Sequence, residues 1–235
     1  NETFTIVECR CGFCYLNPRP EEVAMKKYYN VADYHPHSKG SGSLYSLYNF
    51  IQKITFRLKY KVLRKHLKND IIHLDYGGGD GKFSKYLNSY STTFSRSYDP
   101  YFNYLDSMEL HDKSFNAITL WHVLEHVYDL DVLFKDIERL LSNSGKLFIA
   151  VPNINAMERK YFNNHWAAYD LPRHLYHFSS ESLDKLLTNK GYRIIAKKRM
   201  IFDTFYISIL SSKEISYIQL ITSILLSIFI SIKVI

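Results

Sequence analysis

A chain of 235 residues corresponds to one large domain or one domain with appendages, and 46% hydrophobic with 23% charged residues exclude a disordered or fibrous protein. Its three Cys all fall between positions 9 and 14, which excludes a secreted disulfide scaffold and points to a reducing compartment, with the cytoplasm as the default. The formal charge of +7 draws attention to anionic partners, and its distribution says more than its size. No basic-then-apolar leader opens the chain, and Asn1 rather than Met stands first, so upstream sequence is expected to be missing.

In chain order, the Cys cluster is followed by Asn17-Pro18-Arg19-Pro20, and Pro20 opens a short helix running to Tyr29. A Ser/Gly/His segment from Tyr34 to Ser43 separates it from a basic helix: between Phe50 and Asn69 there are seven basic residues and no acidic one. Lys53, Arg57, Lys61, Arg64 and Lys68 recur at helical spacing, with Ile51, Ile54, Leu58 and Val62 as the neighbouring apolar face. The plain reading is a solvated face. An anionic membrane surface, nucleic acid or an anionic substrate are the alternatives, and the absence of any base-stacking motif disfavours nucleic acid.

From there strand and helix alternate. Ile71 to Leu74 is a short apolar run ending in Asp75 and a glycine cluster, and a helix with Phe83, Tyr86, Leu87 and Tyr90 on one face follows. Thr93 to Tyr98 and Ala117 to Trp121 are further strands. Leu130, Leu133, Phe134, Ile137, Leu140 and Leu141 mark a helix, and Ser142-Asn143-Ser144-Gly145 turns the chain into the strand Lys146 to Val151. A last helix near Glu181 to Asn189 ends at Gly191, before a strand around Ile194. This order predicts an α/β fold, a parallel sheet covered on both faces. Beyond it, Ile215 to Ile232 is 18 residues without a charge, read as a buried apolar helix in preference to a membrane-associated one.

Four of the nine Gly fall in five positions of LDYGGGDGKF, between a strand and a helix. Glycine is costly in regular structure, and at such a turn the missing side chains let a ligand approach the backbone and the helix N-terminus. The dinucleotide fingerprint fails, because the third glycine position after Gly77 and Gly79 is Lys82. The Walker loop fails as well, because Gly81-Lys82 is followed by Phe83. What remains is Asp75-x-Gly77-x-Gly79-x-Gly81, with Asp99 ending the next strand 24 residues later, where a ribose-binding carboxylate is expected.

With this loop, and with SFNAITLWHVLEHVYDLD (114 to 131), LLSNSGKLFIAVPN (140 to 153) and YDLPRHLYHFSSESLDKLLTNKGYRI (169 to 194), the chain resembles the class I S-adenosylmethionine-dependent methyltransferases. Its branch looks like the ubiquinone-biosynthesis O-methyltransferases and their bacterial relatives. The resemblance implies a Rossmann-like seven-stranded sheet with a reversed final hairpin, S-adenosylmethionine as cofactor and a small-molecule acceptor. It implies Gly77, Gly79 and Gly81 against the methionine part, Asp99 on the ribose hydroxyls, Asp75 orienting the loop and the cofactor's amino group, and Trp121 on the cofactor side. Two departures stand out: Phe115-Asn116 replaces the usual Phe-Asp, and the chain stops short of the last strand. They raise the alternative of a binding module that keeps the fold without turnover.

Methyl transfer to a hydroxyl requires alignment and removal of a proton, for which histidine suits neutral pH. His174 in Arg173-His174-Leu175-Tyr176-His177-Phe178 matches the recurrent substrate-side His and is expected to act as base or positioning residue; the alternative is a hydrogen-bonded residue fixing a lid. His177 and Trp166 are assigned to lid packing. His122-x-x-Glu125-His126 would place three ligands on one helix face and is also an inverted-zincin string, so a metallopeptidase is the remote rival. In the ubiquinone-related branch the corresponding positions look like a magnesium site, but His122 suits a hard ion poorly, so orienting the acceptor is the preferred role for His122 and His126. Cys9-x-Cys11-x-x-Cys14 resembles part of a zinc-ribbon-like segment, though four ligands are the norm; reduced structural thiols are preferred and no metal is expected. The expected organisation is a Cys-containing arm (1–19), a helical cap with the basic helix (20–65), the methyltransferase domain (66–212) and an apolar C-terminal helix (213–235).

Overall fold

The computed structural model describes residues 2–29, 43–100 and 110–211. The segment expected to separate the first two helices, most of the region after Asp99-Pro100, and the apolar run Ile215 to Ile232 lie outside the described residues. Among the described residues, no helix is long and apolar enough to cross a membrane. They fall into two compact units, 2–29 with 152–211 and 43–100 with 110–151.

The unit of residues 43–151 holds a parallel sheet. Strands β3 (Ile71–Tyr76), β4 (Thr93–Tyr98), β5 (Phe115–Trp121) and β6 (Leu141–Ala150) lie in the order β4-β3-β5-β6. Register pairs Asp75 with Ser97 on one side and with Thr119 on the other. Because side chains alternate along a strand, Ile71, His73 and Asp75 share one face with Ala117, Thr119 and Trp121. That face is covered by α2 (Ser43–His66) and α3 (Lys82–Leu87), which bring Leu63, Leu67, Phe83 and Leu87 into one core cluster with Ile71 and Ala117. On the other face α4 (Leu130–Leu140) buries Leu133, Phe134, Ile137 and Leu140, and Tyr76 donates to Asp136 Oδ2 at 3.1 Å. Asp129 caps α4 by accepting from the N–H groups of Asp131 and Val132.

Two expectations are corrected in this unit and a third in the other. Buried Leu63 of α2 and Leu67 just beyond it, with half-buried Phe56 and Tyr60, face the sheet's core, whereas Leu58 of the expected apolar stripe is 39% exposed. Residues 142–145 do not form a free turn but belong to β6, which joins β5 through a bulge between Phe115 and Ala117. In the unit with residues 152–211 the expected strand around Ile194 is not formed: residues 193–200 carry no regular element, Ile195 is 55% exposed, and among the described residues no strand lies alongside to share hydrogen bonds. Of the seven strands expected in a sheet with a reversed final hairpin, four, all parallel, are present in this sheet among the described residues.

The other unit has its own small antiparallel sheet, β1 (Ile6–Glu8), β2 (Cys14–Leu16) and β7 (Tyr176–His177), in that order. The Cys-containing arm is thus a hairpin whose second strand pairs Cys14 with His177 and Tyr15 with Tyr176. Short helices α1 (Glu22–Met25) and α5 (Met157–Phe162), with the longer α6 (Ser180–Asn189) and α7 (Ile201–Ser211), complete it. A capping box between Ser179 and Ser182 starts α6. Ile154, Phe162, Trp166 and Ala168 form its buried cluster, which places Trp166 in packing as expected.

Candidate functional site

The glycine loop leaves the C-terminal end of β3 and enters α3. Gly77 and Gly78 donate to the Tyr98 carbonyl at 2.7 and 3.2 Å, and Gly79 donates to Asp99 Oδ2 at 2.9 Å, so the ends of β3 and β4 are stitched together by backbone N–H groups. Gly77, Gly79 and Gly81 have φ of +73°, +55° and +71°, the left-handed region that side chains disfavour. The reasons for glycine differ along the loop. A Cβ on Gly77 would stand 2.5 Å from Val123 Cγ2, and one on Gly78 2.4 Å from Ser97 Oγ and 2.6 Å from Asp75 Oδ2. A Cβ on Gly79 would meet nothing within 4 Å. Gly78, outside the alternate-glycine pattern, is therefore the tightest point of the loop.

Beneath the loop lies a line of buried polar side chains on one sheet face. Asp75 is 3% exposed and accepts the Thr119 hydroxyl at 2.7 Å. Thr119 Oγ1 is 2.9 Å from His73 Nε2, His73 Nδ1 is 2.7 Å from Ser95 Oγ, and Ser95 Oγ is 3.0 Å from Ser84 Oγ on α3. Burial pushes the Asp75 carboxyl up to about 6, against the Thr119 hydrogen bond and the Lys59 charge, while the nearby Asp99 adds to the rise. Burial pushes His73 down to about 3, so the ring is neutral. Trp121 ends β5 two residues beyond Thr119; its indole N–H is buried with no hydrogen-bond partner among the described residues, and Lys59 Nζ lies 4.7 Å above its ring.

These features fit the methionine and ribose ends of S-adenosylmethionine. Side-chain-free backbone at Gly79 opens to space, two carboxylates flank the loop, and the Trp121 donor is left over from the protein's own hydrogen bonding. The loop residues and Asp99 were readable from the sequence. His73, Ser95, Thr119, Gly78 and Lys59 were not read; the available signal was a lone histidine inside an apolar strand, two residues from Asp75 and so on its face.

The His122 motif is corrected. No α-helix carries it: His122 has φ of +57°, and only Leu124–His126 form a 3-10 turn. Its three side chains therefore do not share one helix face, and the inverted-zincin reading loses its geometry. His122 Nδ1 lies 3.4 Å from Glu125 Oε1, a carboxylate only 1% exposed, and the His122 N–H donates to the Ala150 carbonyl at 2.9 Å.

In the other unit, His174 is 7% exposed. Its Nδ1 lies 2.9 Å from the Ala168 carbonyl, which can only accept, so that nitrogen carries a proton and the lone pair of the neutral ring is on Nε2. Nε2 lies 3.6 Å from Asp170 Oδ2, and Asp170 is itself held by Arg173. His177 is buried in the small sheet. In the β1–β2 turn, the N–H of Cys9 reaches the Phe13 carbonyl at 2.9 Å and the N–H of Cys11 reaches Cys9 Sγ at 3.5 Å. A side-chain hydrogen bond with Cys9, helped by the Phe13 backbone, pulls the Cys11 thiol below its usual range, whereas burial raises Cys14. Two exposed thiols on the turn and a half-buried third on β2 supply, by themselves, three of the four ligands of a structural zinc site. A cavity of about 520 Å³ in this unit is bordered by Glu8, Cys14, Asn155, Arg159 and Tyr169.

Residues 49–197 match the family model described as a methyltransferase domain. An uncharacterized protein of Methanocaldococcus jannaschii is 27% identical over 161 residues, 62% of this chain and 70% of that one. The fold matches the Burkholderia thailandensis 1,6-didemethyltoxoflavin-N1-methyltransferase with a TM-score of 0.53 at 14% identity, covering 84% of this chain and 92% of that one. A SAM-dependent methyltransferase from Archaeoglobus fulgidus aligns with a TM-score of 0.45 at 23% identity, over 61% and 69% of the two chains. A family match over more than half the sequence, on a parallel sheet with an acidic, glycine-rich first turn, settles the assignment: the chain belongs to the class I S-adenosylmethionine-dependent methyltransferases.

Proposed function

We propose that the protein is a cytoplasmic enzyme that moves the methyl group of S-adenosylmethionine to an oxygen of a small-molecule acceptor, with His174 as the base. The observation that carries the cofactor part is the left-handed Gly77, Gly79 and Gly81 turn tied to Asp99 at one end and resting on Asp75 at the other. Asp75 serves the cofactor's ammonium group, Asp99 the ribose hydroxyls, and Trp121 supplies an indole donor and an aromatic wall. The cofactor supplies an activated methyl on a sulfonium; what remains for the protein is to align the acceptor and take its proton. His174 is suited to this because the Ala168 carbonyl pins its proton on Nδ1, leaving Nε2 to accept one next to the Asp170 carboxylate. His122 and His126 are assigned to orienting the acceptor. The exposed Lys53, Arg57 and Lys61 of α2 support an anionic acceptor, including one presented at a membrane surface.

Asn116 gives no support to a turnover-free binding module. Its side chain accepts from the Ile72 N–H at 2.9 Å and donates to the Asp70 carbonyl at 2.8 Å, fastening the start of β5 to the start of β3, at the sheet end opposite the glycine loop. The test is labelled methyl transfer into fractionated cytosol and membrane extract, with S-adenosylhomocysteine binding measured alongside. His174→Ala is expected to lower turnover by about 10²–10⁴-fold with S-adenosylhomocysteine affinity unchanged. The Burkholderia relative is named for methylation at nitrogen. A neutral amine attacks through its own lone pair, so a small effect of His174→Ala on rate would shift the acceptor atom from oxygen to nitrogen and remove the proposed base.

A further inference from the structure

We propose that His73 is a positioning residue for the cofactor-loop carboxylate: the tautomer of its buried imidazole is tied, proton for proton, to the charge on Asp75. Thr119 Oγ1 has one proton and two neighbours, Asp75 Oδ1 at 2.7 Å and His73 Nε2 at 2.9 Å. Ser95 Oγ has one proton and two neighbours, His73 Nδ1 at 2.7 Å and Ser84 Oγ at 3.0 Å. A neutral imidazole has one proton for two nitrogens, and all five side chains are buried, with exposures of 0% for His73 and Thr119, 3% for Asp75, 4% for Ser84 and 5% for Ser95.

When Asp75 is a carboxylate it can only accept, so Thr119 donates to it. Thr119 must then accept from His73 Nε2–H, and the bare Nδ1 must accept the Ser95 proton. When Asp75 carries a proton on Oδ1 the chain runs the other way: Asp75 donates to Thr119, Thr119 donates to Nε2, and the proton on Nδ1 is given to Ser95, which donates to Ser84. With the carboxyl proton on Oδ2, Thr119 would still donate to Oδ1 and the ring would stay Nε2–H, so the tautomer switches only when the proton is taken up at Oδ1, the oxygen that faces Thr119. Each state is a continuous chain in which every bond polarises the next, so a break at His73 loosens the carboxylate two residues along the strand. The charged groups that set where Asp75 titrates are Lys59 from α2 and Asp99 from the end of β4, with the Thr119 hydroxyl from β5. His73 itself stays neutral throughout, because burial holds its ring uncharged far below neutral pH.

The step to function rests on the reading of Asp75 as the partner of the cofactor's ammonium group, which selects the carboxylate state and hence the Nε2–H tautomer. The experiment is an NMR titration of the full chain, labelled with ¹⁵N in histidine and ¹³C in aspartate, from pH 8 to pH 5. Long-range ¹H–¹⁵N spectra distinguish the two tautomers of a neutral ring from an imidazolium. The expected result is Nε2–H at pH 8, moving to Nδ1–H along the same midpoint as the Asp75 carboxyl signal. A single tautomer at every pH while Asp75 titrates, or formation of an imidazolium at His73, overturns the proposal. In Thr119→Val, a change of equal volume, the tautomer is expected to stop following Asp75 and the Asp75 midpoint to rise; tautomer coupling that survives the substitution also overturns it.

S-adenosylhomocysteine added at pH 6 is expected to drive His73 to Nε2–H, and its affinity to fall about tenfold per pH unit below the Asp75 midpoint. If S-adenosylhomocysteine does not bind at all, the cofactor reading fails while the apo titration still decides the coupling. Binding that leaves the tautomer mixture unchanged rejects His73 as a positioning residue.

Discussion

Gly77 and Gly79 adopt the same left-handed backbone yet are glycine for different reasons, and substitution separates them. Gly79→Ala meets no neighbour, so its cost is the backbone term alone, about 1–2 kcal/mol. Gly77→Ala adds a contact of 2.5 Å with Val123 Cγ2, which must be relieved by moving the segment after β5. It is expected to be the more destabilising of the two in urea unfolding, and Gly77→Ala combined with Val123→Ala is expected to cost less than the sum of the single changes. Strict additivity in that cycle would mean that the Val123 contact does not matter. At the same scale, His174 owes its proposed role to one carbonyl. Without the Ala168 oxygen fixing Nδ1 as donor, neither ring nitrogen would be committed to accepting a proton.

Among the elements, α2 shows how a periodic pattern can be read on the wrong stripe. Ile51, Ile54, Leu58 and Val62 are spaced as an apolar face, but Ile71 and Ala117 of the sheet and Phe83 of α3 pack against a stripe nearly half a turn away, where Phe56, Tyr60, Leu63 and Leu67 lie. Large aromatic side chains there bury more apolar area than the aliphatic stripe could, and Lys59 beside them reaches over the Trp121 ring. Leu63→Ala is therefore expected to cost about 2–5 kcal/mol by chemical denaturation. Leu58→Ala, at a side chain 39% exposed, is expected to stay within about 0.5 kcal/mol of the parent. Equal losses would restore the sequence-based stripe. The hairpin β1–β2 makes the related point about termini: its strands are three residues each, too short to stand out in the sequence, and β2 becomes part of a sheet because β7 supplies its second neighbour.

For the whole molecule, the buried His73 and Asp75 contribute to stability with opposite pH dependence. Asp75 is raised from 3.8 to about 6, so the native state holds its proton more firmly than the unfolded state; that contribution is present below pH 3.8 and is lost as pH rises through 6. His73 is lowered from 6.5 to about 3, so its contribution is present above pH 6.5 and is lost as pH falls through 3. Between about pH 4 and 6 the two slopes oppose each other, and together they leave stability nearly flat. Asp75→Asn removes one of them. Urea midpoints measured across pH are expected to show the variant more stable than the parent above pH 6, by roughly 2–3 kcal/mol, with the advantage fading to zero below pH 4. The same variant is expected to lose affinity for S-adenosylhomocysteine, a carboxylate kept for binding at a cost to folding. A variant that is less stable at pH 7.5 would refute the burial argument.

The sequence by itself determined the local grammar and the family. The strand at Thr93 to Tyr98 and the helices starting near Leu130 and Ser180 are visible because hydrophobic period and caps are short-range properties. Asp75, the alternate glycines and Asp99 are visible because one turn and the end of the next strand hold them at fixed spacing. Only the tertiary structure decided which side chains meet across strands. Thr119 is 44 residues from Asp75 and Ser95 is 22 from His73, and parallel register alone sets them at hydrogen-bond distance. The His122 string failed for a like reason: spacing implies one helix face only where the backbone is helical, and a left-handed His122 ends that premise. Sequence separation carries no penalty once a sheet has formed, so a buried polar network is assembled by register and remains invisible to any window moved along the chain.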